Sequence, residues 1–464
     1  MDKPARRLFI FFAALFVALV LQLTWVQVIS APSLKIEPTN TRAIQEEMQV
    51  ERGKIVSADG VVLADNREVD GYFYREYPLG SLTSPWLGYN SIEKGRDGIE
   101  RVYNEELSGQ AGRLAVTDYW DQLTGQTHQG ADLQLTIDMG VQDAAVKAFG
   151  NRQGAVVALD PNTGAVLSMV STPNYDPNDL EETWAELSVD EDAPFLNRVN
   201  SGLYPPGSVF KVVVAAAALE LGKVTPETVF YDTGEYTAGG YVVSNYDDKV
   251  YNEHDFKRAF RSSINTTFAN VGVQLGGEAL AGYAAAFGFG QSPPWPLGGA
   301  ESSFPDPDDM DVAHVAQAAF GQGEVLVTPL EMALVTAAVA NGGQMMKPYV
   351  VDMVTDPGGA VMEQAEPALW ARPISETTAT TLTELMVEVV QRGTGTAAAL
   401  PGVQVAGKTG TAEVADAESH AWFVGFAPAW NPRVVVAVLV ENGGSGGSVA
   451  APIARKVMSA ALKR

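Results

Sequence analysis

The segment Tyr204–Lys211 reads YPPGSVFK and leads into the apolar run Val212–Leu221. The Pro-Pro-Gly turn is rigid and the apolar run predicts a helix, so Ser208 is expected in the first helical turn. Free backbone N–H groups and the helix dipole favour developing negative charge there. Lys211 lies three residues later on the same face, within reach of the serine hydroxyl, and a partly desolvated lysine can act as its base. Taken alone, the pair is better explained as an N-cap serine and a solvated lysine.

Two further motifs reverse that interpretation. Ser263-Ile264-Asn265 lies between two helical stretches, and Lys408-Thr409-Gly410-Thr411 precedes a C-terminal hairpin. A strand carrying the second motif offers a fixed cation, two hydroxyl groups and a glycine where a substrate backbone can approach closely. Ser-x-x-Lys, Ser-x-Asn and Lys-Thr-Gly in this order are the signature of the penicillin-interacting serine enzymes.

The surrounding sequence predicts an α+β domain with one antiparallel sheet. Two hairpins are expected, with strands at Ala155–Leu159 and Ala165–Val170 and, near the C-terminus, at Ala421–Phe426 and Val434–Val440. Asp138 can cap a helix that runs to Phe149. Further helices are predicted at Val212–Leu221, Val312–Phe320, Leu330–Ala340 and Ala451–Leu462.

The N-terminus has the pattern of a membrane anchor. Three basic residues precede the apolar stretch Leu8–Ile29. At about 1.5 Å per residue this stretch spans roughly 33 Å, enough for a bilayer core of about 30 Å. The basic flank predicts a cytoplasmic N-terminus and an exported remainder. A cleaved signal peptide is the alternative, but Val28 and Ile29 make a poor cleavage site, which favours an uncleaved anchor.

The polar region after the anchor predicts a separate module. It contains short alternating runs such as Lys54–Val62 and Arg113–Asp118, with frequent turn signals and no catalytic cluster. This pattern is typical of a β-rich fold. We therefore expect three parts: a cytoplasmic tip and transmembrane anchor at 1–30, a non-catalytic pedestal at 31–132 and a catalytic domain at 133–464.

Composition excludes several classes of function. The 464 residues carry 31 basic and 56 acidic side chains, a formal net charge of -25, which argues against nucleic acid as a partner. The absence of cysteine excludes disulfides, thiolate metal sites and cysteine catalysis. The four histidines include no pair with metal-ligand spacing, so we expect neither metal nor cofactor.

Over essentially its whole length the sequence resembles the class B penicillin-binding proteins, which are monofunctional peptidoglycan transpeptidases. Its short build and the ending Leu439–Gly444 are most similar to the PbpA-type members. The resemblance implies a serine β-lactamase/D,D-peptidase-like domain, a five-stranded antiparallel sheet with helices, preceded by a β-rich pedestal and one transmembrane helix. Beyond the three motifs, it rests on the Arg-Gly-x-Ile run at Arg52, Ala165–Asn178, Gly321-Gln322-Gly323, Thr328–Ala333 and His420–Pro428.

The resemblance also implies catalytic roles. Ser208 matches the nucleophile that attacks the penultimate D-alanine of a stem pentapeptide, and Lys211 matches its general base. Ser263 matches the hydroxyl that relays a proton to the leaving amine. Asn265 matches the amide that holds Lys211 and the substrate backbone.

The third motif is implied to bind substrate and tune the site. Lys408 matches the cation beside Ser263, and Thr409, Gly410 and Thr411 match the segment that binds the carboxylate end of the substrate. The backbone N–H groups of Ser208 and Thr411 would form the oxyanion hole.

The implied reaction joins two stem peptides through an acyl-enzyme, which β-lactams would also form. The implied partners are peptidoglycan stem peptides and a SEDS-type glycosyltransferase in the membrane. A D,D-carboxypeptidase or β-lactamase of the same fold is the first alternative. Against a class A β-lactamase, Glu301 is followed by Ser302, Ser303 and Phe304 rather than the x-x-Leu-Asn of the deacylation motif. A non-enzymatic sensor or scaffold is the second alternative, although all three motifs are intact.

Overall fold

A computed structural model describes residues 3–25, 48–110, 129–415 and 417–464. The alternating run Arg113–Asp118 and residues 26–29 of the expected membrane span lie outside these ranges. Within them, the strands are β1 Ile55–Val56, β2 Val62–Val69, β3 Tyr72–Glu76, β4 Asn90–Ser91, β5 Gly95–Arg96, β6 Asp132–Leu135, β7 Gly154–Leu159, β8 Val166–Thr172, β9 Val229–Asp232, β10 Glu235–Ala238, β11 Tyr241–Ser244, β12 Asn252–Asp255, β13 Met345–Met346, β14 Val351–Thr355, β15 Val361–Gln364, β16 Leu369–Ala371, β17 Ala406–Ala412, β18 His420–Ala427 and β19 Val434–Val440.

The α-helices of the same residues are α1 Lys3–Thr24, α2 Gly98–Val102, α3 Asn104–Leu107, α4 Met139–Phe149, α5 Leu180–Leu187, α6 Lys211–Glu220, α7 Phe256–Ser262, α8 Asn265–Leu275, α9 Gly277–Ala286, α10 Val312–Ala318, α11 Pro329–Ala340, α12 Glu376–Arg392 and α13 Ala450–Ala461. Of these, α1 alone is long and apolar enough to cross a membrane, with a mean hydropathy of 2.2 over Arg6–Thr24. The predicted cap is present, because the Asp138 side chain accepts a hydrogen bond from Val141 N at the start of α4.

The central sheet of the expected catalytic domain is five-stranded and antiparallel, as predicted, in the order β17-β18-β19-β7-β8. Every residue of β19 is buried, although alternate residues face opposite sides of the sheet. Val436 and Val438 pack with helices α4 and α13, while Ala437 and Leu439 join the core that contains α11. Helices on both faces explain why β19 is a continuous apolar run.

The pedestal is built around a six-stranded sheet in the order β15-β14-β6-β1-β2-β3. Strands β14 and β15, which follow residue 350, therefore return to the sheet that begins in the 55–76 segment. Strand β14 pairs antiparallel with β6, placing Val351 opposite Leu135. The division at residue 132 stays a prediction, since the chain contributes to this sheet from both sides of it.

The Arg-Gly-x-Ile run is a structural feature of the pedestal. Arg52 and Arg75 pair with the two oxygens of the fully buried Glu100, with N···O distances of 2.7 and 2.6 Å. Burial opposes ionisation of Glu100, but the two guanidinium groups outweigh it and lower the pKa of this carboxyl. A Cβ atom at Gly53 would lie 1.8 Å from Ala131 O, so only glycine permits this close backbone contact.

Candidate active site

Gly207–Phe210 is a 3₁₀ turn that continues directly into α6, and it is named the nucleophile turn here because it contains the predicted nucleophile Ser208. Gly207 has φ +52°, and a Cβ atom there would lie 2.6 Å from Thr411 O. Glycine therefore allows the turn to pack against the edge strand β17. The indole of Trp422 donates to Pro205 O at 3.0 Å and fastens the start of the turn to the sheet. Ser208 is half-buried and faces a cavity.

Lys211 is completely buried behind the serine. Its Nζ donates to Ser263 O at 2.8 Å, to Ser263 Oγ at 3.2 Å and to Asn265 Oδ1 at 2.7 Å. No hydrogen bond joins it to Ser208 among the described residues, although their spacing predicted one within reach. The three acceptors of the 263–265 segment take the three donors of the ammonium group. Loss of one proton leaves a lone pair on Nζ that can accept from the serine.

Ser263 adopts the left-handed conformation, with φ +58° and ψ +42°, at the C-terminal end of α7. This conformation is uncommon for a residue other than glycine and is found at functional sites. It directs the backbone carbonyl toward Lys211 and places the hydroxyl between two amines. Ser263 Oγ lies 3.2 Å from Lys211 Nζ and 2.9 Å from Lys408 Nζ.

Lys408 projects from β17 and is also completely buried. Besides Ser263, its Nζ donates to Thr409 O at 2.9 Å. Burial lowers the pKa of Lys408 to about 7. Burial, together with the charge of Lys408, places the pKa of Lys211 well below its ordinary value. A neutral amine is the form required of a general base, so the surroundings suit Lys211 to that task.

Asn265 begins α8 and connects Lys211 to the helical part of the domain. Its Oδ1 accepts from Lys211, and its Nδ2 donates to Ser244 O at 3.1 Å. The carbonyl at the end of β11 therefore fixes the orientation of the amide.

The Lys-Thr-Gly-Thr segment presents its two threonines to the cavity, but not its glycine. Thr409 and Thr411 line the cavity, and Gly410 does not. A Cβ atom at Gly410 would lie 2.9 Å from Trp422 Cβ and 3.0 Å from Val209 Cγ1. The structure thus packs Gly410 against the nucleophile turn, and its role in binding substrate stays a prediction.

The cavity that these residues share has a volume of about 770 Å³. Sequence reasoning missed several parts of its wall, among them Thr394 and residues 241–249. Thr394, in a Gly-Thr-Gly turn after α12, lies with its Oγ1 2.5 Å from Thr409 Oγ1. Residues 241–249, from strand β11 and the loop after it, form a second part. The Gly-Thr-Gly sequence is a turn signal that could have pointed to Thr394. Residues 241–249 contain no motif that could have identified them as part of the site. Among the described residues no cluster of acidic or histidine side chains could hold a metal ion.

Comparison with protein families accounts for most of the chain. Residues 154–459 match the penicillin-binding protein transpeptidase domain. Residues 52–133 match the penicillin-binding protein A dimerisation domain. The first match alone extends over more than half of the chain and contains all three motifs.

Individual relatives and solved structures agree with these matches. The peptidoglycan D,D-transpeptidases PbpA of Mycolicibacterium smegmatis and Mycobacterium tuberculosis are each 37% identical, with 100% of this chain and 99% of the relative covered. The ceftriaxone acyl-enzyme complex of penicillin-binding protein A from M. tuberculosis superposes with a TM-score of 0.85 and 37% identity, covering 90% of this chain and 100% of that one. A D,D-transpeptidase domain from Eggerthella lenta gives a TM-score of 0.83 and 38% identity, covering 89% and 99%. The chain belongs to the class B penicillin-binding proteins of the PbpA type.

Proposed function

We propose that this protein is a peptidoglycan D,D-transpeptidase that forms its acyl-enzyme on Ser208, and that β-lactams acylate the same serine. One observation carries the proposal: Ser208 opens onto a cavity behind which two buried lysines bracket the Ser263 hydroxyl. The transpeptidase names of the relatives support it, as do acyl-enzyme complexes of M. tuberculosis penicillin-binding protein A with ceftriaxone, imipenem and penicillin G.

The first step is acylation. Neutral Lys211 accepts the proton of Ser208, whose Oγ attacks the carbonyl carbon of the penultimate D-alanine. The backbone N–H groups of Ser208 and Thr411 stabilise the oxyanion, each by about 3–4 kcal/mol. Thr409 and Thr411 bind the carboxylate end of the donor, and Lys408 contributes positive charge beside it.

The second step breaks the peptide bond and transfers the acyl group. A proton passes through Ser263 Oγ to the leaving amine, and terminal D-alanine departs. An amine of a second stem peptide then attacks the ester carbonyl and loses its proton to the same relay. The new amide is the cross-link, and Ser208 regains its proton.

Partition of the acyl-enzyme distinguishes a transpeptidase from a carboxypeptidase. Full-length protein in detergent is given a stem pentapeptide with and without an amine acceptor. We expect D-alanine release together with an amide-linked product, and neither with Ser208→Ala. Free tetrapeptide as the dominant product in the presence of the acceptor would favour a carboxypeptidase. Rapid turnover of a penicillin would favour a β-lactamase. A folded wild-type protein that releases no D-alanine and forms no adduct would favour the scaffold.

We also propose that α1 is an uncleaved anchor with a cytoplasmic N-terminus. Support comes from the basic residues before the apolar segment and from the length of the helix. Because the chain has no cysteine, single cysteines report on sidedness without background. In intact spheroplasts a membrane-impermeant maleimide should label Glu191→Cys and not Asp2→Cys. The reverse pattern would contradict this orientation.

The partner proposed is a SEDS-type glycosyltransferase, which would supply the glycan strands. The transmembrane helix and the pedestal are the proposed contact surfaces, an expectation that rests on the family. Replacing α1 with an unrelated transmembrane helix should reduce co-purification of the glycosyltransferase from membranes. Undiminished co-purification would show that α1 is not part of the contact surface.

A further inference from the structure

Asp232, at the end of β9, is an almost completely buried carboxylate outside the cavity wall, with 4% of its surface exposed. Its Oδ1 accepts from Gly234 N at 3.0 Å and from Thr266 Oγ1 at 2.8 Å. Its Oδ2 accepts from Asn245 Nδ2 at 3.0 Å and from Tyr251 N at 2.7 Å. Burial disfavours the charged form, but these hydrogen bonds outweigh it and lower the pKa of Asp232.

Asn245 completes a clamp on Thr266. Asn245 Oδ1 accepts from Thr266 N at 3.2 Å and from Thr266 Oγ1 at 3.3 Å. Its amide nitrogen is also bonded to Lys249 O at 2.9 Å. Asp232 and Asn245 thus contact Thr266 together, and all three residues are buried.

Asn245 and Thr266 are adjacent in sequence to the two residues, Ser244 and Asn265, whose hydrogen bond orients the Asn265 amide. Asn245 follows Ser244, whose carbonyl accepts from Asn265 Nδ2. Thr266 directly follows Asn265. Asn265 Oδ1 lies 2.7 Å from Lys211 Nζ. The position of the Asn265 amide therefore depends on the clamp both through Ser244 and through Thr266.

We propose that Asp232 is a positioning residue for transpeptidation: through Asn245 and Thr266 it fixes Asn265, which in turn orients Lys211. The inference rests on the proposed role of Lys211 as the base. Asp232 also accepts hydrogen bonds from Asn245 and Tyr251, which line the cavity, so the same carboxylate fixes the part of the wall that these two residues form.

Asp232→Asn tests this role because it keeps the size of the side chain. The amide nitrogen replaces one oxygen and faces N–H donors, so one side of the clamp is lost. For full-length protein we expect the acylation rate with a penicillin to fall about 10–100-fold, as displaced catalytic groups do. Lys211 then loses an acceptor for its ammonium form, so the acid limb of the pH–rate profile should move to lower pH.

Two further variants separate positioning from loss of stability. Ile55→Val removes a buried carbon in the pedestal and should lower the melting temperature without changing acylation. Asn245→Ala should slow acylation, and the double variant with Asp232→Asn should be less impaired than the product of the two single effects. The proposal would be overturned if Asp232→Asn acylated at the wild-type rate. It would also be overturned if the variant acylated more slowly but kept the acid limb of its pH–rate profile, and if the effects of Asp232→Asn and Asn245→Ala simply multiplied in the double variant. Failure of the wild-type protein to acylate on Ser208 would instead overturn the proposed function.

Discussion

Lys211 and Lys408 are buried on either side of the Ser263 hydroxyl, and neither forms an ion pair with a described carboxylate. Burial lowers the pKa of both amines, and the charge of Lys408 lowers the pKa of Lys211 further, which favours the neutral form of Lys211. The hydroxyl between them can exchange protons with either amine. The arrangement therefore explains how a chain whose described histidines lie outside the cavity wall can perform base catalysis.

Removal of the proposed base should slow acylation without unfolding the protein. For Lys211→Ala, and for Lys211→Met, which better preserves the buried volume, we expect penicillin labelling to slow by about 10²–10⁴-fold. Time-resolved intact-mass spectrometry measures the rate, and thermal unfolding reports on the fold. The exposed Lys223, just beyond α6, offers the control Lys223→Ala, which should label normally. Normal labelling of both Lys211 variants would exclude this lysine as the base.

Lys408 should set the pH at which acylation begins. Lys211 is active when neutral, so the rate rises with pH through its pKa. The charge of Lys408 lowers that pKa, and Lys408→Gln removes the charge. We therefore expect the acid limb of the pH–rate profile for penicillin acylation to shift to higher pH, with a lower maximum rate. An acid limb that stays in place or moves to lower pH would show that Lys408 does not act on Lys211 by its charge.

At the scale of single residues, the three motifs could be predicted from the sequence, but their local geometry could not. The spacing of three residues identified Ser208 and Lys211 as a pair. The left-handed backbone of Ser263 and the three acceptors around Lys211 depend on contacts between segments far apart in sequence. The contact of Gly410 with Val209 is of the same kind.

At the scale of elements, the nucleophile turn is held by backbone packing against its neighbours. Gly207 N donates to Gly321 O at 2.9 Å, in the loop after α10. A Cβ atom at Gly321 would lie 2.0 Å from Gly207 O, well inside contact distance. The position of Ser208 therefore depends on a glycine more than a hundred residues away.

Gly321→Ala should displace the nucleophile turn. Gly321 has φ +78° and Gly323 has φ +74°, so alanine suffers similar backbone strain at both positions. An alanine Cβ at Gly321 would also collide with the nucleophile turn, whereas the nearest atom to a Cβ at Gly323 is 3.7 Å away. We expect acylation to slow by about 10–100-fold in Gly321→Ala and little in Gly323→Ala. Equal rates in the two variants would mean that the contact does not position Ser208.

Helix α11 contains a buried acid that should make stability depend on pH. Both carboxylate oxygens of Glu331 are buried without a hydrogen-bond partner among the described residues, and burial raises its pKa to about 8. The folded protein therefore retains this proton while the unfolded chain releases it above about pH 4.5. The stabilisation from this difference is complete at low pH and is lost as pH rises toward 8.

Glu331→Gln should remove that dependence. Between pH 5 and 8 the free energy of unfolding of the wild-type protein should fall relative to the variant by up to about 1.4 kcal/mol per pH unit. Urea unfolding of both proteins across this range measures the difference. Parallel curves would show that Glu331 is ionised in the folded state.

Elements with strong periodicity or a clear turn were predictable, and others were not. The two hairpins of the central sheet and helices α4 and α13 agree with their predicted positions to within about two residues. Helix α12 was missed because its Thr-rich first half has low helix propensity. Strands β9–β12 were missed because exposed tyrosines, valines and acidic residues in them give no alternating apolar pattern.

At the scale of the whole molecule, the pedestal and the catalytic core are joined by three crossings of the chain. Strand β6 leads directly into α4, the chain returns to the pedestal sheet at β14 and β15, and it leaves that sheet again for β16 and α12. Local patterns predicted a β-rich module after the anchor but could not predict that strands more than 200 residues later complete its sheet. These crossings connect the domain that contains the active-site cavity to the pedestal at more than one point.

Intact-mass spectrometry of the full-length protein with a penicillin, followed by peptide mapping, tests the assignment of the nucleophile most directly. We expect a stable adduct of one penicillin per chain, on the peptide that contains Ser208, and none in Ser208→Ala. The variant should keep the wild-type melting temperature, because a half-buried hydroxyl on the cavity wall adds little to stability. An adduct that maps to another peptide, or that persists in Ser208→Ala, would contradict the assignment.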